Sequence, residues 1–256
     1  MKTRLSLIIL LSFLGLRSFS QDIPSDSILL KMIYGKCDAG GKSFTRAHAK
    51  DEPEHEYYPQ VSYKIALKEH MVLDNQDILF VICQAPIFYQ HYHTFYLIDY
   101  CYFARSGDRW NLTKTITGIM DSALIDVDKF AIADIGPDKK ALITTFASVG
   151  NGSDSRSISL QRLTLDGLIN MIAIDLDYSN AAWINIESMT SSEECPIIQY
   201  ESTWNIVKSD KSWYDIHVSK TNYGFSKGCK DKFVSSKEES VYSYIQGGYK
   251  QQTDQK

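Results

Sequence analysis

Two histidines, His91 and His93, lie two residues apart among tyrosines in the run from Tyr89 to Cys101, YQHYHTFYLIDYC. On an extended strand, alternate residues share a face. Their imidazoles would then stand roughly 7 Å apart, near enough to hold one zinc ion together. A zinc site needs at least a third ligand. Asp99 and Cys101 have the right parity, but at about 3.3 Å per residue they lie roughly 20 and 26 Å beyond His93. The missing ligand would have to come from elsewhere, with His70 or the acidic loop before residue 60 as sources. An exported hydrolase or metal-dependent enzyme built around His91 and His93 is the alternative reading of this chain.

A second geometry competes. The runs DILFVIC and FYLIDYCYF can pair as an antiparallel hairpin. If Cys83 faces Cys101, paired residue numbers sum to 184 and the hairpin turns at residue 92. That predicts a cross-strand Cys83–Cys101 disulfide. Tyr89, His91, Tyr92 and His93 then form a surface tip, where binding residues concentrate. We prefer this reading.

Other motifs fall short of chemistry. GKCDAGGKS, Gly35 to Ser43, has one residue too many for a phosphate-binding loop and follows a helix instead of a strand. No G-x-S-x-G, H-E-x-x-H or C-x-x-C is present. Asp51, Glu52, Glu54 and Glu56 sit in a Pro-containing loop and read as a solvated acidic patch, with His48 and His55 beside them. Asn111 and Asn151 match the glycosylation acceptor pattern. Trp110, Trp183, Trp204 and Trp213 could stack on sugars but read as core, Trp183 and Trp213 each opening an apolar strand.

The 256-residue chain begins with Lys2, Arg4, the apolar run Leu5–Leu16 and small residues Ser18 and Ser20 before Gln21. Residues 1–20 therefore read as a cleavable signal peptide, since an apolar run of about 12 residues is too short to span a bilayer. No later segment is long and apolar enough to do so. The expected location is secreted or periplasmic. Cleavage leaves 24 Lys and Arg against 31 Asp and Glu, a net charge of −7. That balance excludes nucleic acid and anionic membrane as natural partners. Five cysteines in an exported chain allow disulfides and leave at least one thiol over.

The elements that must position these residues are short. Ser25 to Gly35 reads as one N-terminal helix, with Ile28, Leu29, Met32 and Ile33 on its apolar face. Residues 36–60 read as a long polar loop, completing an N-terminal segment of 21–60. From Val61 the texture is β, with Val61, Tyr63, Ile65 and Leu67 alternating on one face. DILFVICQ and TFYLIDYCYFA are apolar on both faces and should be central strands. Turns are expected at Gly136-Pro137-Asp138, Asp166-Gly167 and Gln246-Gly247. AWINIES, from Ala182 to Ser188, reads as a further strand. Residues 61–249 form one β domain, and 250–256 a disordered tail.

FAIADIGPDKKALITTFASVGNGS and SWYDIHVSKTNYG resemble blades of secreted FG-GAP/VCBS-type β-propeller repeat proteins. The resemblance implies an exported β protein. It transfers no calcium ligands, because the turn around Asp134, Gly136 and Asp138 is too short and contains Pro137. The expected fold is all-β, mainly antiparallel, propeller-like or a sandwich, with one short helix. The expected function is a non-enzymatic binding or interaction module with a protein or glycan partner and no cofactor.

Overall fold

The computed structural model describes residues 23–47, 60–88, 94–122, 130–150 and 153–252. The expected signal peptide, the expected acidic patch, the segment containing Tyr89, His91, Tyr92 and His93, the Asn151 sequon and the last four residues lie outside them. Among the described residues, one α-helix and thirteen strands follow in chain order. Among the described residues, no helix is long and apolar enough to cross a membrane.

Helix α1 (Asp26–Tyr34) starts where Ser25 adopts an extended conformation and its carbonyl accepts from the amides of Ile28 and Leu29. It stops at Gly35, whose φ of 78° lets its amide reach back to the Lys31 carbonyl. Leu29 and Leu30 are wholly buried, whereas Ile28 is 50% exposed. Leu29, Met32 and Ile33 of the expected stripe pack on the core together with Leu30 and Tyr34, and only Ile28 lies off it. The Tyr34 hydroxyl donates to Asp99 Oδ2 at 2.6 Å and so ties the helix to the sheet.

Strands β1 (Phe44–Ala47), β2 (Gln60–Leu73), β3 (Gln76–Phe88), β4 (Thr94–Ser106) and β5 (Arg109–Ser122) form an antiparallel five-stranded sheet in sequence order. Asp74 and Asn75, both at positive φ, turn β2 into β3. As expected, β3 and β4 are interior strands apolar on both faces. One face packs on α1 through Leu79, Val81, Leu97 and Phe103. The other carries Phe80, Ile82, Ile98 and Tyr102. β2 serves both cores. A bulge at Ala66 leaves Ile65 opposite Cys83 and Leu67 opposite Ile82. Val61, Tyr63 and Ile65 therefore face the helix, while Leu67, Met71 and Leu73 face the other way. The expectation that Leu67 shares a face with Val61 is corrected by that extra residue.

The second sheet has eight antiparallel strands: β6 (Phe130–Gly136), β7 (Lys139–Gly150), β8 (Ser153–Thr164), β9 (Gly167–Ser179), β10 (Gln199–Val207), β11 (Asp215–Phe225), β12 (Lys232–Ile245) and β13 (Gly248–Gln251). Leu142 and Leu163 pack against the first sheet, so one core is shared between the sheets. Of the two expected arrangements, this is the sandwich-like one. The sheet then curls until β13 comes beside β9, enclosing Ile158, Leu160, Ile174, Ile216 and Val218 in a third core. The Ser212–Tyr214 strap closes one end. The Tyr214 amide bonds to the Ile135 carbonyl, and Trp213 stacks on Tyr244 with centroids 3.7 Å apart.

Three expectations are corrected. Phe44–Ala47, inside the expected loop, pairs with β2 as an edge strand. AWINIES is two 3-10 turns, Ala181–Trp183 and Ile186–Ser188. β12 begins at Lys232, in a charged run where no strand was expected.

Candidate functional site

The sequence-predicted disulfide is not the one formed. β3 and β4 pair with a residue sum of 182, placing Cys83 opposite Asp99 and Cys101 opposite Val81. A two-residue offset keeps every side chain on its expected face and changes only its partner. Cys83 and Cys101 are wholly buried free thiols in the core under α1. Nearby Asp99, 5% exposed, accepts from Tyr34 and from Thr117 Oγ1 at 2.7 Å. Burial is the first cause raising the Tyr34 hydroxyl's pKa above the usual tyrosine value; the Asp99 bond adds to it. This cluster ties the helix to the sheet.

Of the residues considered as metal ligands, His70 lies on β2. It pairs with Leu79 of β3. Its ring meets Trp110 edge-on, with Nε2 3.5 Å from Asp77 Oδ1. Among the described residues, no three His, Cys, Asp or Glu side chains come together as a metal-binding group. The glycine-rich loop after α1 wraps around Asp38, whose carboxylate accepts from Ser43 at 2.7 Å and Thr45 at 2.9 Å. These bonds hold its pKa below the usual value, so an anion in that depression would meet a carboxylate.

The concavity with more varied chemistry lies at the end of the curled sheet opposite the Trp213 strap. It is a groove of about 450 Å³ lined by residues of β8, β9 and β10, including Arg156, Asp177, Tyr178, Gln199, Tyr200 and Glu201. β10 pairs with β9 over only three positions, Gln199–Glu201 against Asp177–Ser179. Beyond Glu201 the two strands part. Ser202 and Thr203, next along β10, pair with β11 alone. The Ser202 hydroxyl also has no hydrogen-bond partner.

Register sorts the side chains here. Tyr178, Tyr200 and Asn222 form one cross-strand row, on the face that farther along carries Trp204 and Val218 of the third core. The Tyr178 and Tyr200 rings stack with centroids 6.0 Å apart and planes 22° from parallel. Lys220 Nζ sits 3.8 Å from the Tyr200 ring centroid. Asn222 donates to Glu238 and Ser236. On the opposite face, Arg156 Nε donates to Asp177 Oδ2 at 2.8 Å. Glu201 accepts from the Tyr223 hydroxyl at 3.1 Å and lies 3.5 Å from Lys232 Nζ, which covers the Tyr223 ring at 3.7 Å. Burial, then the nearby Asp175 and Asp177 carboxylates, raise the pKa of Tyr200. The bond to Glu201 does so for Tyr223. Both hydroxyls therefore remain protonated donors.

This sheet end has little core beneath it. β12 is exposed on both faces from Lys232 to Glu239, and Ile198, Phe233 and Val234 are each more than half exposed. Its order comes from a staple. Cys195, before β10, is bonded to Cys229, between β11 and β12. The Gly228 amide donates to the Glu193 carbonyl beside it, and the Asn180 side chain holds Pro196 and Ile198. Phe233 lies against Gly224, where a Cβ would come within 2.6 Å of the ring.

The groove offers hydrogen-bonding groups and aromatic rings but no activated nucleophile. None of its lining residues is a histidine or cysteine. Its two opposed carboxylates, Asp177 and Glu201, are each engaged by a cation. Trp110 belongs to the core under α1, and Trp204 and Trp213 pack against the third core. Sequence reasoning missed Tyr178 and Tyr200, which are 22 residues apart and meet only through strand register.

Together, these features define an all-β protein of two stacked antiparallel sheets with a polar, tyrosine-bearing groove at one sheet end. No protein family, curated protein or solved structure was found to match the chain.

Proposed function

We propose that this protein is an exported, non-enzymatic binding module and that the disulfide-stapled end of its eight-stranded sheet is the recognition surface. The carrying observation is the ordered, two-sided polar sheet from Gln199 to Glu239. Fixing backbone there costs about 1–2 kcal/mol per residue, with little apolar burial to offset it. A disulfide, ion pairs and lysine–tyrosine contacts hold it in place instead. Tyrosines with few rotatable bonds bind at low entropic cost. Export is supported by the sequence pattern of residues 1–20 and by the Cys195–Cys229 bond, which suits an oxidising compartment.

The test is binding of the mature protein to an array of polysaccharides and extracellular proteins, repeated with a Tyr200→Ala/Tyr223→Ala variant whose melting curve is unchanged. Loss of one or more ligands in the variant supports the reading. Ligands bound equally by both forms would place recognition elsewhere. Zinc-dependent hydrolysis abolished by His93→Ala would replace the binding-module reading with the enzymatic alternative.

A further inference from the structure

We infer that Lys139 and Arg162, at the Trp213 strap, form a site for one compact oxyanion, a sulfate, phosphate or carboxylate group. The inference goes beyond the recognition surface proposed above and is independent of it, since the strap closes the other end of the curled sheet.

Strand register puts both cations on one face. Ala141 of β7 pairs with Arg162 of β8. Lys139 lies two residues before Ala141 on the same strand and so shares its side of the sheet. Both charges then converge on one ring. Lys139 Nζ lies 5.1 Å, and the Arg162 guanidinium carbon 5.2 Å, from the Trp213 centroid. Tyr244 covers one face of that indole, stacked 3.7 Å away and 10° from parallel. The two cations therefore share the face that Tyr244 leaves open, within about 10 Å of each other. Gly136 makes room for this arrangement. A Cβ there would come 2.4 Å from the Ser212 carbonyl oxygen of the strap and 3.2 Å from Lys139 Cδ.

Neither cation is neutralised. Lys139 and Arg162 are both half-buried, yet among the described residues they make no ion pair and no side-chain hydrogen bond. Carboxylates around the strap are engaged by other groups: Asp134 by Lys140 and Lys208, and Asp215 by Lys211 and Ser243. Asp138 and Asp210 are exposed and pair with neither. Two like charges this close repel, more so where an aromatic ring stands in place of water. Attraction to the indole offsets part of that repulsion. An oxyanion reverses it, accepting from the Arg162 fork and from the Lys139 ammonium at once. The net charge of −7 expected for the mature chain opposes a polyanion, so the fitting ligand is a single small group.

The experiment titrates the mature protein with sodium sulfate, phosphate and acetate at constant ionic strength, with chloride as the control. Calorimetry reads the affinity. NMR reads the indole N–H signals of Trp110, Trp183, Trp204 and Trp213, the last assigned with a Trp213→Phe variant. At least one oxyanion is expected to bind and to shift the Trp213 signal more than the other three. Arg162→Gln and Lys139→Gln should each weaken that binding at least tenfold. Lys237→Gln, on the exposed part of β12, should leave it unchanged. The Trp213 signal is read in the unaltered protein, so a poorly folded variant cannot decide the result. No oxyanion binding beyond that of chloride, no selective shift at Trp213, or equal weakening by Lys237→Gln would overturn the inference.

Discussion

Replacing both members of the Cys195–Cys229 bond with alanine should loosen the groove end of the eight-stranded sheet before the rest of the molecule. The two cysteines are 34 residues apart, and the loop they close contains all of β10 and β11. With that separation, the chain-entropy relation gives about 3.8 kcal/mol of stabilisation from restricting the unfolded chain. Competing contacts are weaker. Arg156–Asp177 and Lys232–Glu201 are solvent-accessible pairs, each contributing about 0–1 kcal/mol. The lysine–tyrosine contacts add about 0.5–1 kcal/mol apiece. The staple therefore outweighs any one of them. Urea unfolding of Cys195→Ala/Cys229→Ala should show a loss of about 2–4 kcal/mol. Hydrogen exchange should accelerate at Gln199–Glu201, Thr221–Phe225 and Lys232–Ser236, while β3 and β4 stay protected. A loss below about 0.5 kcal/mol with unchanged exchange at Gln199–Glu201 would refute the argument that the bond orders this end.

Three other perturbations probe the scaffold. Tyr34→Phe leaves the buried Asp99 carboxyl one donor short and should cost about 1–3 kcal/mol by denaturant midpoint; additivity with Thr117→Val would show that the two donors do not act through Asp99. Gly136→Ala would put a Cβ 2.4 Å from the Ser212 carbonyl oxygen and should destabilise by about 1–3 kcal/mol, an unchanged melting temperature contradicting the close approach of the strap. Burial raises Tyr100 and Tyr249 to about 12. Their folded-state values exceed the unfolded value of about 10, so their contribution is full below pH 10. It falls by up to about 1.4 kcal/mol per unit for each as pH rises toward 12. Tyrosinate absorbance and stability measured together should show this decline, and flat stability across that window would contradict it.

Particular residues show how far the sequence could be read. Apolar side chains on both faces of β3 and β4 identified interior strands, because alternation survives whatever the partner. Gly136-Pro137-Asp138 and Asp166-Gly167 marked turns through local backbone preference, and the helix ended at Gly35 for the same reason. Leu67 was misassigned because a bulge depends on two strands at once, and one sequence run carries no sign of the extra residue at Ala66. Phe44–Ala47 and the charged half of β12 were missed because each is ordered by its neighbour, β2 or β11, and not by an apolar pattern of its own. The groove was the least legible part. Tyr178, Tyr200 and Arg156 come from three strands, and nothing local links them. Choosing Cys195–Cys229 among the possible cysteine pairings likewise required the fold.

The five-stranded sheet has a consequence for how the chain is made. Its second face, bearing Phe80, Ile82, Ile98 and Tyr102, is covered by Leu142 and Leu163, which are synthesised later. Everything up to β5 can therefore be complete while that face is still bare. An emerging or translocating chain must spend an interval with a broad sticky surface turned to its surroundings, which makes biogenesis dependent on holding factors or rapid completion. A chain ended after Ser122 is expected to bind hydrophobic dyes and aggregate, whereas one continued through Ser179 should not.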